Sequence, residues 1–340
     1  MTMDRYAEAG VDLKAADEAK ARIASLVLGT HTELAAGAVG GFGGMLRLPS
    51  GLRRPLLVMS TDGVGTKVLV ARECQQLGTV GEDLVNHCVN DVLVHGATPI
   101  AFQDYLAGAD LSIDETGTIV GGVARACRNH QMLLTGGETA QMPGLYQSGH
   151  FDLAGTILGV VEEEDALHGD RIRPGDLLIG YESTGLHTNG FTLARRVLFD
   201  DLGLSVESRV EELSSTVGEA LLAVHRSYWG ALRGIVGRVH ALAHITGGGI
   251  PGNLVRVLPP GCRAVVRRSS WPCPPLFDLL RRAGDIEPRE MADVFNLGLG
   301  MIAVVAEPLL AEAQLQAQEA GVLTWVVGAI QAGVPGVDVE

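Results

Sequence analysis

Apolar runs of strand length recur along the chain. Segments with apolar positions at helical spacing separate them, and glycine-containing polar turns join them. In the first half, Pro55–Met59, Pro99–Leu106, Met132–Leu134 and Phe151–Glu162 read as strands. After an extended piece from residue 3, an Ala-rich helix is predicted over Ala15–Leu28, with further helices over Gly81–Gly96 and Ile113–Asn129. In the second half, Leu177–Tyr181, Val239–Ile245, Arg263–Arg267, Met301–Val305 and Leu323–Ile330 read as strands. Helices are predicted over Phe191–Phe199, Val217–Val236, Pro274–Ala283, Pro288–Phe295 and Pro308–Ala320. This alternation predicts an α/β fold, layered in both halves. The charged, Gly- and Pro-containing stretch from Glu162 to Asp176 places a boundary near residue 170, giving domains 1–170 and 171–340. No fixed-period repeat stands out.

The stretch Thr61-Asp62-Gly63-Val64-Gly65-Thr66-Lys67 follows the first strand. It sets a carboxylate, bare backbone and a cation together, which suits a metal-bound triphosphate. Taken alone it reads equally as a polar turn. Upstream, Gly37-Ala38-Val39-Gly40-Gly41-Phe42-Gly43-Gly44 holds five glycines in eight residues. It is either a lid over a nucleotide or a flexible connector, and its closeness to Asp62 favours the lid. In the helix over Gly81–Gly96, Asp83, Asn86, His87, Asn90 and Asp91 form one polar stripe. A solvated face usually carries Lys or Arg, and this stripe has neither, so its short oxygen and imidazole groups point to ligand binding. Gly136-Gly137-Glu138 again sets a carboxylate just past a strand. Asp62, Asp91 and Glu138 are therefore the candidate Mg²⁺ ligands.

Two turns of the second half lead from strand to helix. Ser183-Thr184-Gly185-Leu186-His187-Thr188-Asn189-Gly190 offers backbone amides and hydroxyl and amide donors, with His187 available for proton transfer. The alternative is an ordinary helix cap by Thr188 or Asn189. Thr246-Gly247-Gly248-Gly249, with Pro251 in the next helical turn, is a second candidate anion cradle.

Composition narrows the classes. The 340 residues suffice for two domains, and 46% are hydrophobic. Net charge is −14, with 26 Lys and Arg against 40 acids and no basic stripe, which sets nucleic-acid binding aside. An anionic substrate must then be held by local devices. Five cysteines without C-x-x-C spacing suggest reduced thiols in a cytoplasm. The polar N-terminus shows no apolar leader segment, and no run approaches the roughly 18 apolar residues of a membrane span.

The chain resembles the phosphoribosylformylglycinamidine cyclo-ligase (AIR synthetase) family of the AIR synthase-related superfamily. The matching stretches are Tyr6–Asp12, Gly40-Gly41-Phe42-Gly43-Gly44, Asp62–Lys67, Val89-Asn90-Asp91, His95-Gly96-Ala97, Gly136–Gly144 and His187-Thr188-Asn189-Gly190. Ala243–Gly249, Trp271-Pro272 and Phe295–Met301 continue the series. Each is short; in family order over nearly the whole chain, the set is specific. The resemblance implies a two-domain subunit whose N-terminal sheet forms a barrel across a homodimer, with ATP bound near that interface. It implies ATP-dependent cyclisation of formylglycinamidine ribonucleotide to aminoimidazole ribonucleotide, through a phosphorylated amide. Gly40, Gly41, Gly43, Gly44, Asp62, Gly63, Gly65, Thr66, Lys67, Asn90, Gly136, Gly137 and Glu138 would then contact ATP. Lys67 would offset phosphoryl charge, and His87 and His187 would handle protons. Thr188, Asn189, Gly190 and Thr246–Gly249 would hold the substrate.

Two places depart from the family pattern. No Lys or Arg stands between Ser25 and Leu34, and Val224-His225 replaces the Pro-Thr often found after the Leu221-Leu222 pair. Related classes fit less well. Selenophosphate synthetases resemble chains with a reactive N-terminal Cys, whereas the first here is Cys74. The hydrogenase-maturation protein ends in Cys, and this chain ends Val339-Glu340. Thiamine monophosphate kinases usually lack the Gly136–Gly144 form. A non-catalytic scaffold predicts missing ligands, yet Asp62, Lys67, Asp91 and Glu138 are present.

Overall fold

The computed structural model describes residues 13–340, which divide into two compact units. The first runs through Cys88 and resumes over Pro99–Val160; the second comprises Val89–Thr98 and Val161–Glu340. The extended piece expected before Ala15 and the Tyr6–Asp12 stretch lie outside the described residues up to residue 12.

The first unit holds α1 (Leu13–Leu28), β1 (Pro55–Gly63), α2 (Lys67–Glu73), α3 (Gly78–Leu93), β2 (Thr98–Gly108), α4 (Ile113–Asn129), β3 (Leu133–Gln141) and β4 (Phe151–Glu162). The last turn of α3 and the last residues of β4 belong to the second unit. The strands form one sheet in the order β1-β4-β2-β3, with β2 and β3 parallel. Helix α4 begins on a reciprocal cap: Ser112 Oγ accepts from Glu115 N, and the Glu115 carboxylate accepts from Ser112 N. Within this unit α3 and α4 approach at glycines. A Cβ on Gly122 would stand 2.1 Å from Gly78 O, and one on Gly81 would stand 2.4 Å from Ile119 O. No larger residue permits that approach.

Strand β3 corrects an expectation. Gly136, Gly137 and Glu138 lie inside it, not past its end. Parallel pairing with β2 supplies the backbone partners that the glycines alone would not secure, with Asp104 opposite Gly137 and Tyr105 opposite Glu138. Gly137 is needed there, because a Cβ would meet Asp104 Oδ1 at 2.4 Å.

The second unit is built on a six-stranded sheet in the order β12-β9-β11-β5-β10-β8. These strands are β5 (Leu177–Glu182), β8 (Ala241–His244), β9 (Cys262–Val266), β10 (Leu299–Val305), β11 (Thr324–Ala332) and β12 (Val337–Val339); β6 (Arg209–Val210) and β7 (Ser215–Thr216) pair separately. Neighbours run antiparallel except β12 beside β9, so the layering is mixed α/β over an antiparallel sheet. All seven residues of β10 are buried, as its near-continuous apolar run requires. Tyr181, Tyr228, Leu232, Met301 and Ala303 pack into one core beneath the sheet.

The helices are α5 (Phe191–Arg195), α6 (Val217–Leu221), α7 (Trp229–Leu232), α8 (Gly249–Leu254), α9 (Pro275–Ala283), α10 (Pro288–Val294) and α11 (Leu310–Glu319). The single helix expected over Val217–Val236 is therefore two short ones, α6 and α7, with a non-helical segment between them. The physical reason is tertiary. Asn90 of α3 takes over the backbone groups of Arg226 and Tyr228 that a continuous helix would have used.

Candidate functional site

In the first unit, Asp62 stands next to last in β1. Its Oδ1 accepts from Gly63 N at 2.7 Å, and its Oδ2 lies 2.8 Å from His87 Nε2. The imidazole is almost wholly buried while 42% of the Asp62 side chain is exposed, so His87 orients a carboxylate that still faces outward. Lys67, the first residue of α2, is placed otherwise than expected. Its ammonium is wholly buried and lies 2.9 Å from Asp83 Oδ1, itself wholly buried. Burial lowers the Lys67 pKa, and the Asp83 charge and hydrogen bond raise it back in part. This ion pair ties α2 to α3.

The glycine run is a loop carrying a fully exposed Phe42, with Gly40 at φ +88°. At its end Gly44 passes so close to β3 that a Cβ would stand 2.5 Å from Thr135 Cβ. Gly37, Val39, Gly44 and Met45 line a shallow depression there with His31 and Thr135. Glu138 is exposed on β3. Since β1 and β3 are the two edges of the sheet, with β4 and β2 between them, Asp62 and Glu138 are three strand spacings apart, about 14 Å. Within one chain the sheet order sets the two carboxylates on opposite edges.

The polar stripe of α3 is not a solvated face. Asp83 is held by Lys67, Asn86 Oδ1 lies 3.0 Å from His130 Nε2, and His87 is held by Asp62. One turn further on, in the second unit, Asn90 and Asp91 build a cluster of their own. Asp91 Oδ1 lies 2.8 Å from Nδ1 of His244, the last residue of β8. His244 Nε2 lies 3.2 Å from His225 Nε2. Asn90 Oδ1 accepts from Tyr228 N at 2.9 Å, and its Nδ2 donates to Arg226 O at 2.9 Å. That clamp holds the segment between α6 and α7 and carries His225 into the cluster.

His187 has φ +62°, a left-handed conformation costly for a non-glycine residue and concentrated at functional sites. Its ring stacks on His225, with centroids 4.0 Å apart and planes 23° from parallel. Its Nε2 accepts from Thr184 N at 3.2 Å and from Arg226 N at 3.5 Å. Only 1% of His187 is exposed, so it acts first as a fixed wall of the cluster. The next residue, Thr188, is buried, with its Oγ1 3.3 Å from His225 Nδ1. Asn189 and Gly190 follow, and Gly190 (φ +77°) lies where a Cβ would strike the Phe295 ring at 2.5 Å. Asn296 fixes the start of this turn: Ser183 Oγ donates to its Oδ1 at 3.1 Å, and its Nδ2 donates to Gly185 O at 2.8 Å.

The second cradle, Thr246–Gly249, is tied down by Asn253. Its Nδ2 donates to Gly249 O at 2.8 Å, and its Oδ1 accepts from Thr246 Oγ1 at 3.2 Å. Gly248 and Gly249 take φ of +92° and +58°. The structure thus brings Asn90, Asp91, His187 and Thr188 together. His225, His244, Arg226 and Tyr228 are the members that sequence reasoning did not single out. His244 closes the apolar run of β8, whereas His225 lies inside an apolar pattern that reads as helix.

Residues 44–161 match the family profile described as AIR synthase related protein, N-terminal domain, and residues 173–339 match its C-terminal counterpart. The chain is 44% identical over 330 residues to a phosphoribosylformylglycinamidine cyclo-ligase of Desulfatibacillum aliphaticivorans, covering 96% of this chain and 95% of the relative. It is 46% identical over 329 residues to one of Sorangium cellulosum (strain So ce56), covering 96% and 94%. Among solved structures, thiamine-monophosphate kinase from Stenotrophomonas maltophilia K279a superposes with TM-score 0.65 at 18% identity, over 94% of this chain and 95% of that one. Hydrogenase maturation protein HypE in complex with ATP gives TM-score 0.64 at 20% identity, over 94% and 90%. Identities this low carry a likeness of fold.

Proposed function

The chain belongs to the AIR synthase related family, among its phosphoribosylformylglycinamidine cyclo-ligases, and is a ligase enzyme; from that premise we propose that it closes the imidazole ring of purine biosynthesis at the expense of ATP. The substrate is formylglycinamidine ribonucleotide, and the products are aminoimidazole ribonucleotide, ADP, phosphate and a proton. The formyl amide oxygen is a poor leaving group. It attacks the γ-phosphorus of ATP, ADP departs, and an iminophosphate forms. The ribosyl-bearing nitrogen then attacks the formyl carbon, and the oxygen leaves with phosphate. Ring closure is intramolecular once the amide is activated, so positioning supplies much of the rate.

The observation that carries this reading is the cluster of Asn90, Asp91, His187, Thr188, His225 and His244. Desolvating that many polar groups is costly and is tolerated where they are hydrogen-bonded and used. In this reading Thr188, Asn189, Gly190 and the Thr246–Gly249 turn bind substrate, and His187 holds the wall behind it. His87 sets the orientation of Asp62 and is the proton-handling candidate of the first unit. The glycine run over residues 37–44, with Gly63, Gly65, Thr66, Gly136 and Gly137, is assigned to ATP. The solved structure of HypE, similar in fold, is of a complex with ATP, which supports the use of ATP.

Mg²⁺ supplies charge neutralisation on the transferring phosphoryl group when bound. Asp62 in the first unit and Asp91 in the second are each a part-exposed carboxylate with an imidazole on one oxygen, the hard donor that Mg²⁺ takes, and each would be a ligand for such an ion. Glu138 joins them only if a second copy of the chain supplies it. Pairing of two first-unit sheets is part of this proposal. Its support is the row of exposed apolar side chains on β1 and β2, namely Leu57, Met59 and Tyr105. Cytoplasmic location is part of it too; among the described residues no helix is long and apolar enough to cross a membrane.

The test is turnover by the purified protein with ATP, Mg²⁺ and formylglycinamidine ribonucleotide. ADP formation that needs the ribonucleotide, with equimolar aminoimidazole ribonucleotide, is the expected result. ATP binding without turnover would point to a nucleotide-binding scaffold instead.

A further inference from the structure

The turn over residues 295–298 joins α10 to β10 and belongs to neither substrate turn, yet both rest on it. Leu297 takes φ +51°, a left-handed conformation that a bulky side chain holds only where its surroundings impose it. Three hydrogen bonds do so. Gly298 N donates to Asn296 Oδ1 at 2.8 Å, Leu299 N donates to Asn296 O at 3.0 Å, and Trp271 Nε1 donates to Leu297 O at 2.8 Å. The buried amide of Asn296 has one orientation, because its Oδ1 meets a backbone N–H and its Nδ2 meets a backbone carbonyl, Gly185 O. The first substrate turn is fixed to this segment at both ends. At its start Ser183 N donates to Gly298 O at 2.9 Å, beside the Asn296 bond to Gly185 O, and at its end Gly190 lies on the Phe295 ring. The second turn presses on the same segment: a Cβ on Gly249 would stand 1.8 Å from Ala292 O and 3.2 Å from Phe295 O. Two stretches far apart in sequence are therefore set against one locked turn.

We propose that Asn296 is a positioning residue for the ribonucleotide: by locking the 295–298 turn it fixes the spacing of the two substrate turns, over residues 183–190 and 246–249, without touching substrate itself. This rests on the assignment of both turns to substrate binding. An apolar side chain at this position would leave Gly298 N and Gly185 O without their partner, and the turn would loosen. A spacing set in advance spares the bound state the cost of ordering the turns, so the benefit falls on affinity for the ribonucleotide. ATP is assigned to the first unit, and its binding does not pass through this turn. No covalent step passes through the amide.

Two measurements test it. The first needs no turnover: hydrogen exchange, read peptide by peptide in wild type and in Asn296→Ala without substrate. Amides over residues 183–190 and 246–249 are expected to exchange at least about tenfold faster in the variant, both together, while those of α11 keep their rate. Faster exchange in only one of the two turns, in neither, or equally in α11 overturns the proposal. The second is steady-state kinetics. Asn296→Ala is expected to raise KM for the ribonucleotide about tenfold, the worth of one hydrogen bond. Its kcat and its KM for ATP should stay within about twofold, a split that a general loss of stability would not give. A fall in kcat at unchanged KM, or an equal rise in both KM values, overturns it. Trp271→Phe is the milder variant should Asn296→Ala fail to fold. It removes the bond to Leu297 O, leaves the Asn296 amide in place, and should raise the same KM about threefold; an unchanged KM counts against the locked turn. Failure of the wild-type enzyme to form aminoimidazole ribonucleotide would overturn the assigned reaction, and hydrogen exchange would still decide whether Asn296 holds both turns.

Discussion

Gly300 of β10 stands where a Cβ would lie 2.4 Å from Cε1 of His187 and 2.1 Å from Oη of Tyr228. The bare backbone is what lets the strained His187 tuck beneath the strand, and Tyr228 Oη donates to Glu182 O at 2.8 Å in the same space. Gly300→Ala forces both rings to move. It should cost about 1–3 kcal/mol by overpacking and lower kcat/KM at least about tenfold, because the wall behind Thr188 shifts. Urea unfolding and steady-state kinetics check this. Wild-type values in both would show that the cluster tolerates displacement of His187.

Lys67 and Asp83 form a buried ion pair in the first unit. Removing one partner leaves an uncompensated charge, so Lys67→Met should destabilise by about 3–5 kcal/mol. Lys67→Met with Asp83→Leu should recover most of that loss. If Lys67 only holds α2 to α3, the recovered double variant also recovers turnover. A stable double variant without activity would return Lys67 to the phosphoryl group.

Asp104 of β2 is buried, and burial raises its pKa from 3.8 to about 7, with its own backbone hydrogen bond opposing. Between those values the folded chain holds a proton that the unfolded chain has lost, so stability falls as pH rises toward 7. The slope is about 1.4 kcal/mol per pH unit at most. Asp104→Asn removes that slope. Its stability relative to wild type should climb from pH 4 to pH 8 in denaturant titrations, and a difference constant with pH would refute the burial argument.

His130, at the end of α4, behaves in the opposite sense. Burial lowers its pKa from 6.5 to about 4, and its Nε2 lies 3.0 Å from Asn86 Oδ1. Between those values the unfolded chain binds the proton first, so stability is lost as pH falls from 6.5 toward 4. His130→Gln should flatten the acid limb of a stability–pH curve over that window. An unchanged limb would place the acid sensitivity elsewhere.

The elements were legible where period and punctuation agreed. Ile113–Asn129 and Phe151–Glu162 begin and end where the pattern placed them, because Ser112 caps the one and the other alternates from Phe151 to Gly159. Legibility failed where a partner overrode local preference. Gly136 and Gly137 argue against strand, yet β2 pairs from Gly137 onward, with Gly136 at a shift in register. The apolar spacing over Val217–Val236 argues for one helix, yet Asn90 claims the backbone at its centre. At the site, the stripe on α3 was readable as more than a solvated face, and Asp91 and Thr188 do fall in one cluster. What a one-dimensional reading could not supply was pairing. No local pattern announces that Asp83 stands against Lys67, or that Asp62 and Glu138 lie on opposite edges of one sheet.

The most direct test of the central claim follows one oxygen atom. Formylglycinamidine ribonucleotide carrying oxygen-18 in its formyl group is turned over with unlabelled ATP, and the phosphate released is weighed by mass spectrometry. Activation by phosphoryl transfer to the amide predicts one oxygen-18 in each phosphate, in step with the aminoimidazole ribonucleotide formed. Unlabelled phosphate, with the heavy oxygen in water, would mean that ATP cleavage and ring closure are not joined through that atom.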